Sequence, residues 1–184
     1  MINPVKIAVD AMGGENSPSK VIKGIEIHCL NSSNIFYNIF GNQNLIEPIL
    51  KKSKISKDIC EIIHTEKFIK DSDSPLSAAK KGKDTSMWLA IESLKDDNSD
   101  AIVSAGNTGA LFVIAKLNLN MIENIDKPAL SALWPNKTGM NIVLDLGANI
   151  DCNEKNLLDF SLMGAALHKS LFDKEESKVA LLNI

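Results

Sequence analysis

One seven-residue stretch, Ser104-Ala105-Gly106-Asn107-Thr108-Gly109-Ala110, limits the choice of fold more than the rest of the chain. It follows the apolar run Ala101-Ile102-Val103, which reads as a buried strand, and precedes Leu111-Phe112-Val113-Ile114-Ala115, which reads as the start of a helix. A strand that passes through glycine into a helix is one βα unit. Parallel strands need such crossovers, so repetition of the unit implies a parallel sheet with helices on both faces. The same junction also suits an anion. Glycine lets backbone approach a ligand, and the first helical turn offers unpaired amides with a partial positive charge. Ser104, Asn107 and Thr108 add short hydrogen-bonding side chains. The plainer alternative is a βα turn in which Gly106 and Gly109 serve turn geometry alone.

The unit recurs. Lys6-Ile7-Ala8-Val9-Asp10 reads as a first buried strand ending in an acid, with residues 11–16 as a loop containing Gly13 and Gly14. Ser17-Pro18 reads as a helix start, Ser as N-cap and Pro in the first helical position. Val21, Ile22, Ile25 and Cys29 then follow at helical spacing. Residues 34–40 read as a second strand, residues 42–54 as a helix that contains Pro48, and residues 59–64 as a third apolar run. Residues 65–74 are polar and read as a loop. Ser74-Pro75 repeats the helix-start signal. That helix meets Lys80-Lys81-Gly82-Lys83-Asp84 and breaks, and Asp84 or Thr85 caps a new one carrying Met87, Ala90, Ile91 and Leu94. Lysines beside a helix N-terminus suit phosphate; the alternative is a solvated basic turn.

Beyond residue 104 the expected helix runs to about Met121. Residues 128–134 read as a strand ended by Pro135, residues 136–139 as a turn, and residues 141–146 as another apolar run. Gly147-Ala148-Asn149-Ile150-Asp151 forms a third glycine-bearing loop after a strand. Leu158, Leu162, Ala165 and Ala166 mark a helix, and residues 179–184 read as a strand in which the chain stops. The expectation is a single α/β domain over residues 1–184, the N-terminal part of a longer enzyme. Ligands of parallel sheets sit beyond the carboxyl ends of the strands. The loops after Asp10, after Ser104 and after Asp145 would form one site if they converge there.

Composition narrows the function classes. Net charge is −3, which excludes a basic field for nucleic acid. All 20 basic residues are lysine, so phosphate must be held by Lys, amides and hydroxyls without guanidinium forks. Cys29, Cys60 and Cys152 have neither metal-ligand spacing nor a disulfide pattern, and no apolar run spans a bilayer, so a reducing cytoplasm fits. Cys29 and Cys60 read as core residues and His28, His64 and His168 as structural. Gly13-Gly14 lacks the dinucleotide spacing, which argues against a nicotinamide cofactor. Ser77-Ala78-Ala79-Lys80 with Lys137-Thr138-Gly139 mimics a penicillin-binding pair, but no Ser-Asp-Asn lies between them.

Several stretches resemble, in order, the bacterial phosphate acyltransferase family commonly called PlsX. They are Ile7-Ala8-Val9-Asp10-Ala11-Met12-Gly13-Gly14, Thr85-Ser86-Met87, residues 104–110, Pro128-Ala129-Leu130, residues 144–151, Met163-Gly164 and residues 179–184. Glu15 and Ser17 depart from the commoner Asp and Ala. The resemblance implies transfer of a fatty acyl group from acyl carrier protein to orthophosphate, giving acyl phosphate for phospholipid synthesis. It implies a three-layer α/β/α fold, mostly parallel and similar to isocitrate and isopropylmalate dehydrogenases. It further implies a homodimer in the full-length form, a cytoplasmic place with peripheral contact at the inner face of the membrane, and no cofactor or metal. Phosphate is then the nucleophile, and the protein must hold it near a thioester and stabilise the oxyanion. Under this reading the catalytic candidates are Asp10, Lys83, Asn107 and Asp145. Substrate and phosphate candidates are Gly13, Gly14, Lys80, Lys81, Thr85, Ser86, Ser104, Gly106, Thr108, Gly109, Gly147 and Asn149. A dehydrogenase of the same fold and a non-catalytic phosphate-binding fragment are the rival readings.

Overall fold

A computed structural model describes residues 3–137, 139–172 and 176–182, with the side chain of Lys81 outside the description. The chain groups into two compact units, Met1–Asn120 and Met121–Ile184.

The first unit is a four-stranded parallel sheet. Its strands are β1 (Val5–Asp10), β2 (Ile35–Gly41), β3 (Cys60–His64) and β4 (Ala101–Ser104), in the order β3-β2-β1-β4. Alternation along the strands sorts side chains to two faces. Val9, Tyr37 and Ile39 face α1 (Ser19–Cys29) and α2 (Gln43–Leu50), whose Ile22, Ile25 and Ile46 complete one core. Ala8 and Phe40 point the other way, onto Ala90 of α4 (Ser86–Lys95). α5 (Thr108–Asn118) packs its Ala110 and Ile114 against Met87 and Ile91 of α4 and against Ala78 and Ala79 of α3 (Pro75–Lys81). These three layers are the α/β/α arrangement expected from the repeated units.

The helix ends follow local chemistry. Ser74, Thr85 and Asn107 cap α3, α4 and α5, accepting from the amides of Ser77, Trp88 and Ala110. α1 departs from expectation. Ser17 does not cap it, because its hydroxyl donates back to the Gly13 carbonyl, and the helix begins at Ser19 with no side-chain cap. α2 stops at Leu50 rather than at residue 54, because the Ser53 hydroxyl takes the Leu50 carbonyl. α5 stops at Asn118 rather than near Met121. The Asn118 side chain donates to the Ile114 carbonyl, and Leu119 is already extended.

The second unit holds β5 (Ala132–Pro135), β6 (Met140–Val143) and α6 (Glu154–Leu171). β5 and β6 pair antiparallel as a hairpin of their own instead of extending the parallel sheet. β5 is shorter than the expected run over residues 128–134 because Leu130 and the Pro128 carbonyl bond to residues 145–149. Asn153 and Asn156 close a reciprocal capping box at the start of α6. The strand expected at residues 179–184 is not formed at residues 179–182, and residues 183–184 lie outside the described residues. A strand needs a hydrogen-bonded neighbour, and none pairs with this run among the described residues.

Candidate functional site

Chain order along the sheet reverses at β1. From β1 the chain moves outward through β2 and β3, then returns to place β4 on the other side of β1. The connection after β1 enters α1 on one face, and that after β4 enters α5 on the opposite face. Such a switch point opens a crevice beyond the carboxyl ends of the two strands. The loops at residues 11–14 and 105–107 flank it.

Asp10 ends β1 and is 2% exposed. One carboxyl oxygen accepts from the Ser86 hydroxyl at 2.6 Å and from the Met12 amide at 3.2 Å. The other accepts from the Ser104 hydroxyl at 2.8 Å. Ser104 Oγ in turn accepts from the Gly106 amide at 3.2 Å. One buried carboxyl therefore joins the end of β1, the first turn of α4 and the end of β4. Six of the sequence candidates meet here: Asp10, Gly13, Gly14, Ser86, Ser104 and Gly106.

The glycines are required by this junction itself. A Cβ on Gly13 would lie 2.7 Å from Asp10 Oδ2 and 2.8 Å from the Gly106 nitrogen. Gly14 has φ +83°, and a Cβ there would meet the Ala105 carbonyl oxygen at 2.5 Å. The two loops touch through backbone. Positive φ thus falls at Gly14, while Gly109 is small because Pro75 Cγ would lie 2.6 Å from its Cβ.

Asn107 lies beside the junction with its side chain fully engaged. Oδ1 accepts from the Ala110 amide, and Nδ2 donates to the carbonyls of Asp71 at 3.1 Å and Asp73 at 2.8 Å. It clasps the loop before α3 to the start of α5. Thr108 is exposed at the first position of α5. The first intrahelical bond of α5 runs from the Leu111 amide to the Asn107 carbonyl, which leaves the amides of Thr108 and Gly109 at the open end of the helix.

Around the lysine turn, Thr85 is 6% and Ser86 1% exposed. Thr85 Oγ1 donates to the Gly82 carbonyl at 2.7 Å, so both hydroxyls serve internal bonds. Lys80 and Lys83 are exposed. Asp84 pairs with Lys67 at 2.9 Å, and that bond, with the charge of Lys67 and more weakly of Lys83, holds its carboxyl below the usual range. Beside this turn lies a groove of about 310 Å³ over Phe68, Ile69 and Ala78, rimmed by Lys67, Asp73 and Thr85. Reading residues 65–74 as a polar loop missed it. The adjacent pair Phe68-Ile69 was the available signal.

Asp145, Gly147 and Asn149 form a separate loop in the second unit. Asp145 Oδ1 accepts from the Leu130 amide at 2.9 Å, and Oδ2 accepts from the Asn149 amide at 2.7 Å and from its side chain at 3.0 Å. Partial burial pushes the Asp145 pKa up. The donors from Leu130, Asn149 and Ala148 together outweigh this and hold it below the ordinary value. Gly147 carries φ +81° at the tip of this loop.

The family described as fatty acid synthesis protein matches residues 5–184. A phosphate acyltransferase of Pelagibacter ubique is 61% identical over 180 residues, covering 98% of this chain and 54% of that protein. Proteins of the same name from Maricaulis maris and Paramagnetospirillum magneticum are 41% and 37% identical, with 97% and 98% of this chain covered and 51% of each of theirs. The chain spans about half the length of the curated relatives it matches.

Proposed function

Since the chain belongs to the fatty acid synthesis protein family, we propose that it forms part of an acyltransferase that moves a fatty acyl group from acyl carrier protein to orthophosphate. The observation that carries this reading is the meeting of two glycine loops at the switch point of a parallel sheet, with the open end of α5 beside it. In the reaction a phosphate oxygen attacks the thioester carbonyl, the carbon–sulfur bond breaks, and the carrier leaves as its thiol. The product is acyl phosphate. No protein nucleophile is needed, so the demand on the chain is to hold a dianion and a developing oxyanion.

In this assignment the amides of Thr108 and Gly109, with the helix dipole behind them, receive an anionic oxygen. Lys83, Lys80 and Lys81 supply positive charge. Asp10 acts as a positioning residue that fixes the two loops through Ser86 and Ser104, and Asn107 holds the start of α5 in place. Within the second unit, Asp145 holds the loop of Gly147 and Asn149 in shape through the amides of Leu130 and Asn149. Acyl carrier protein and orthophosphate are the partners, a homodimer is the working form, and the setting is cytoplasmic with peripheral membrane contact. Among the described residues no helix is long and apolar enough to cross a membrane. Because the chain covers about half of its relatives' length, the second reading is a fragment that binds phosphate without turnover.

The test uses a full-length family protein carrying these residues. Alanine at Lys83, Lys81 or Lys80 removes a charge-assisted contact of about 1.5–3 kcal/mol, so at least one variant lowers kcat/KM for phosphate by about tenfold or more. Its melting temperature stays within a few degrees. Near-normal phosphate kinetics in the three single variants and the triple variant would return the turn to solvated surface. A melt of residues 1–184 shifted by phosphate alone, with no response to the acyl donor, supports the binding-only reading. A shift by NAD supports a dehydrogenase.

A further inference from the structure

Strands stand about 4.8 Å apart and packed helices about 8–10 Å apart, so a four-stranded sheet takes roughly two helices on each face. One face here has them, α1 and α2. On the other, α4 lies against β1, β2 and β4, while α5 packs onto α3 and α4. Beside α4, along β2 and β3, the sheet carries an open groove of about 560 Å³. Its floor is apolar, formed by Phe36 and Phe40 of β2 and Ile63 of β3, with Leu89 of α4 as one wall. Phe36, Ile63 and Leu89 are only half-buried. Its edge is acidic: Glu61, Glu92 and Asp96 stand against Lys6.

We propose that this groove seats one amphipathic helix with an apolar stripe flanked by Lys or Arg, contributed by the half of the family's length that this chain does not match. The apolar floor gives the stripe its contact, and the carboxyls select a basic flank. The length argument points to the source, since the matched residues make up only 51–54% of the relatives. The inference rests on the reading above that the chain is part of a longer enzyme. It makes no use of the acyl-transfer assignment.

Carboxyl footprinting of residues 1–184 alone, and of a full-length family protein carrying them, tests it without any assay of activity. Labelling of Glu61 and Asp96 is expected to fall several-fold in the full-length protein, with Asp58, exposed elsewhere on the same unit, labelled equally in both. The double variant Glu61→Lys, Asp96→Lys is expected to lower the melting temperature of the full-length protein by several degrees and to leave that of residues 1–184 unchanged. Equal labelling in the two proteins overturns the proposal. So does protection of residues 1–184 that grows with their own concentration, which assigns the groove to a second copy. Protection that needs added acyl carrier protein also overturns it. Loss of acyltransferase activity with protection intact would sink the functional reading and leave this one standing.

Discussion

A carboxyl group buried at the end of a central strand must have its oxygens occupied, and at Asp10 two serine hydroxyls and the Met12 amide do this. Removing it strands the hydroxyls of Ser86 and Ser104. At about 1–3 kcal/mol for each orphaned hydroxyl, Asp10→Ala is expected to cost about 2–6 kcal/mol in urea denaturation. Asp10→Asn keeps one acceptor oxygen and should cost clearly less; equal losses in the two variants would refute this bonding scheme. The sequence placed Asp10 and Ser104 correctly at strand ends, because an apolar run closed by a short polar residue is a local signal. It could not reveal the clasp at Asn107, whose partners Asp71 and Asp73 come within reach only through tertiary packing. Nor could it show that Gly13 and Gly106 lie backbone to backbone, each leaving space the other occupies.

Elements were most legible where a short polar side chain stands before a helical pattern. Ser74 and Thr85 lie where their helices begin, and each accepts from an amide of the first turn. The same signal failed at Ser17, since a hydroxyl that can donate to a nearby loop carbonyl has a competing use that spacing does not show. In α1, Gly24 is exposed and an added Cβ would meet nothing within 4 Å. Gly24→Ala is therefore expected to stabilise the protein by about 0.5–1 kcal/mol, through helix propensity and lost freedom of the unfolded chain. A neutral or negative change in the urea midpoint would mean that this helix face has a contact that the geometry does not display. The Asp145 loop was legible as a glycine-bearing strand end. Its bonds to Leu130 and Pro128, which shorten β5, were not, because they join residues 15 and 21 positions apart.

At the scale of the molecule, the parallel sheet could be read from repeated βα units, whereas the separate hairpin of β5 and β6 could not. Apolar runs give strand positions without naming the partner, and a short turn between two runs allows a hairpin equally well. The second unit should respond to acid through Asp145. Its pKa is lowered in the folded state, so its contribution is complete above the ordinary carboxylate value of 3.8 and disappears as pH falls through the lowered one. The stability difference between the unaltered protein and Asp145→Asn, measured by urea denaturation across pH, is expected to shrink in that acid range. A difference that grows with acid would reverse the assignment. The sheet of the first unit has a further consequence during synthesis. Asp10 and Ser104 lie 94 residues apart, yet β1 and β4 are neighbours. A ribosome releases β1, β2 and β3 well before β4 exists, so for that interval one edge of β1 stays open to water and to other nascent chains. Translation thus assembles the β3 flank first, and the crevice between β1 and β4 takes form only once Ser104 has emerged.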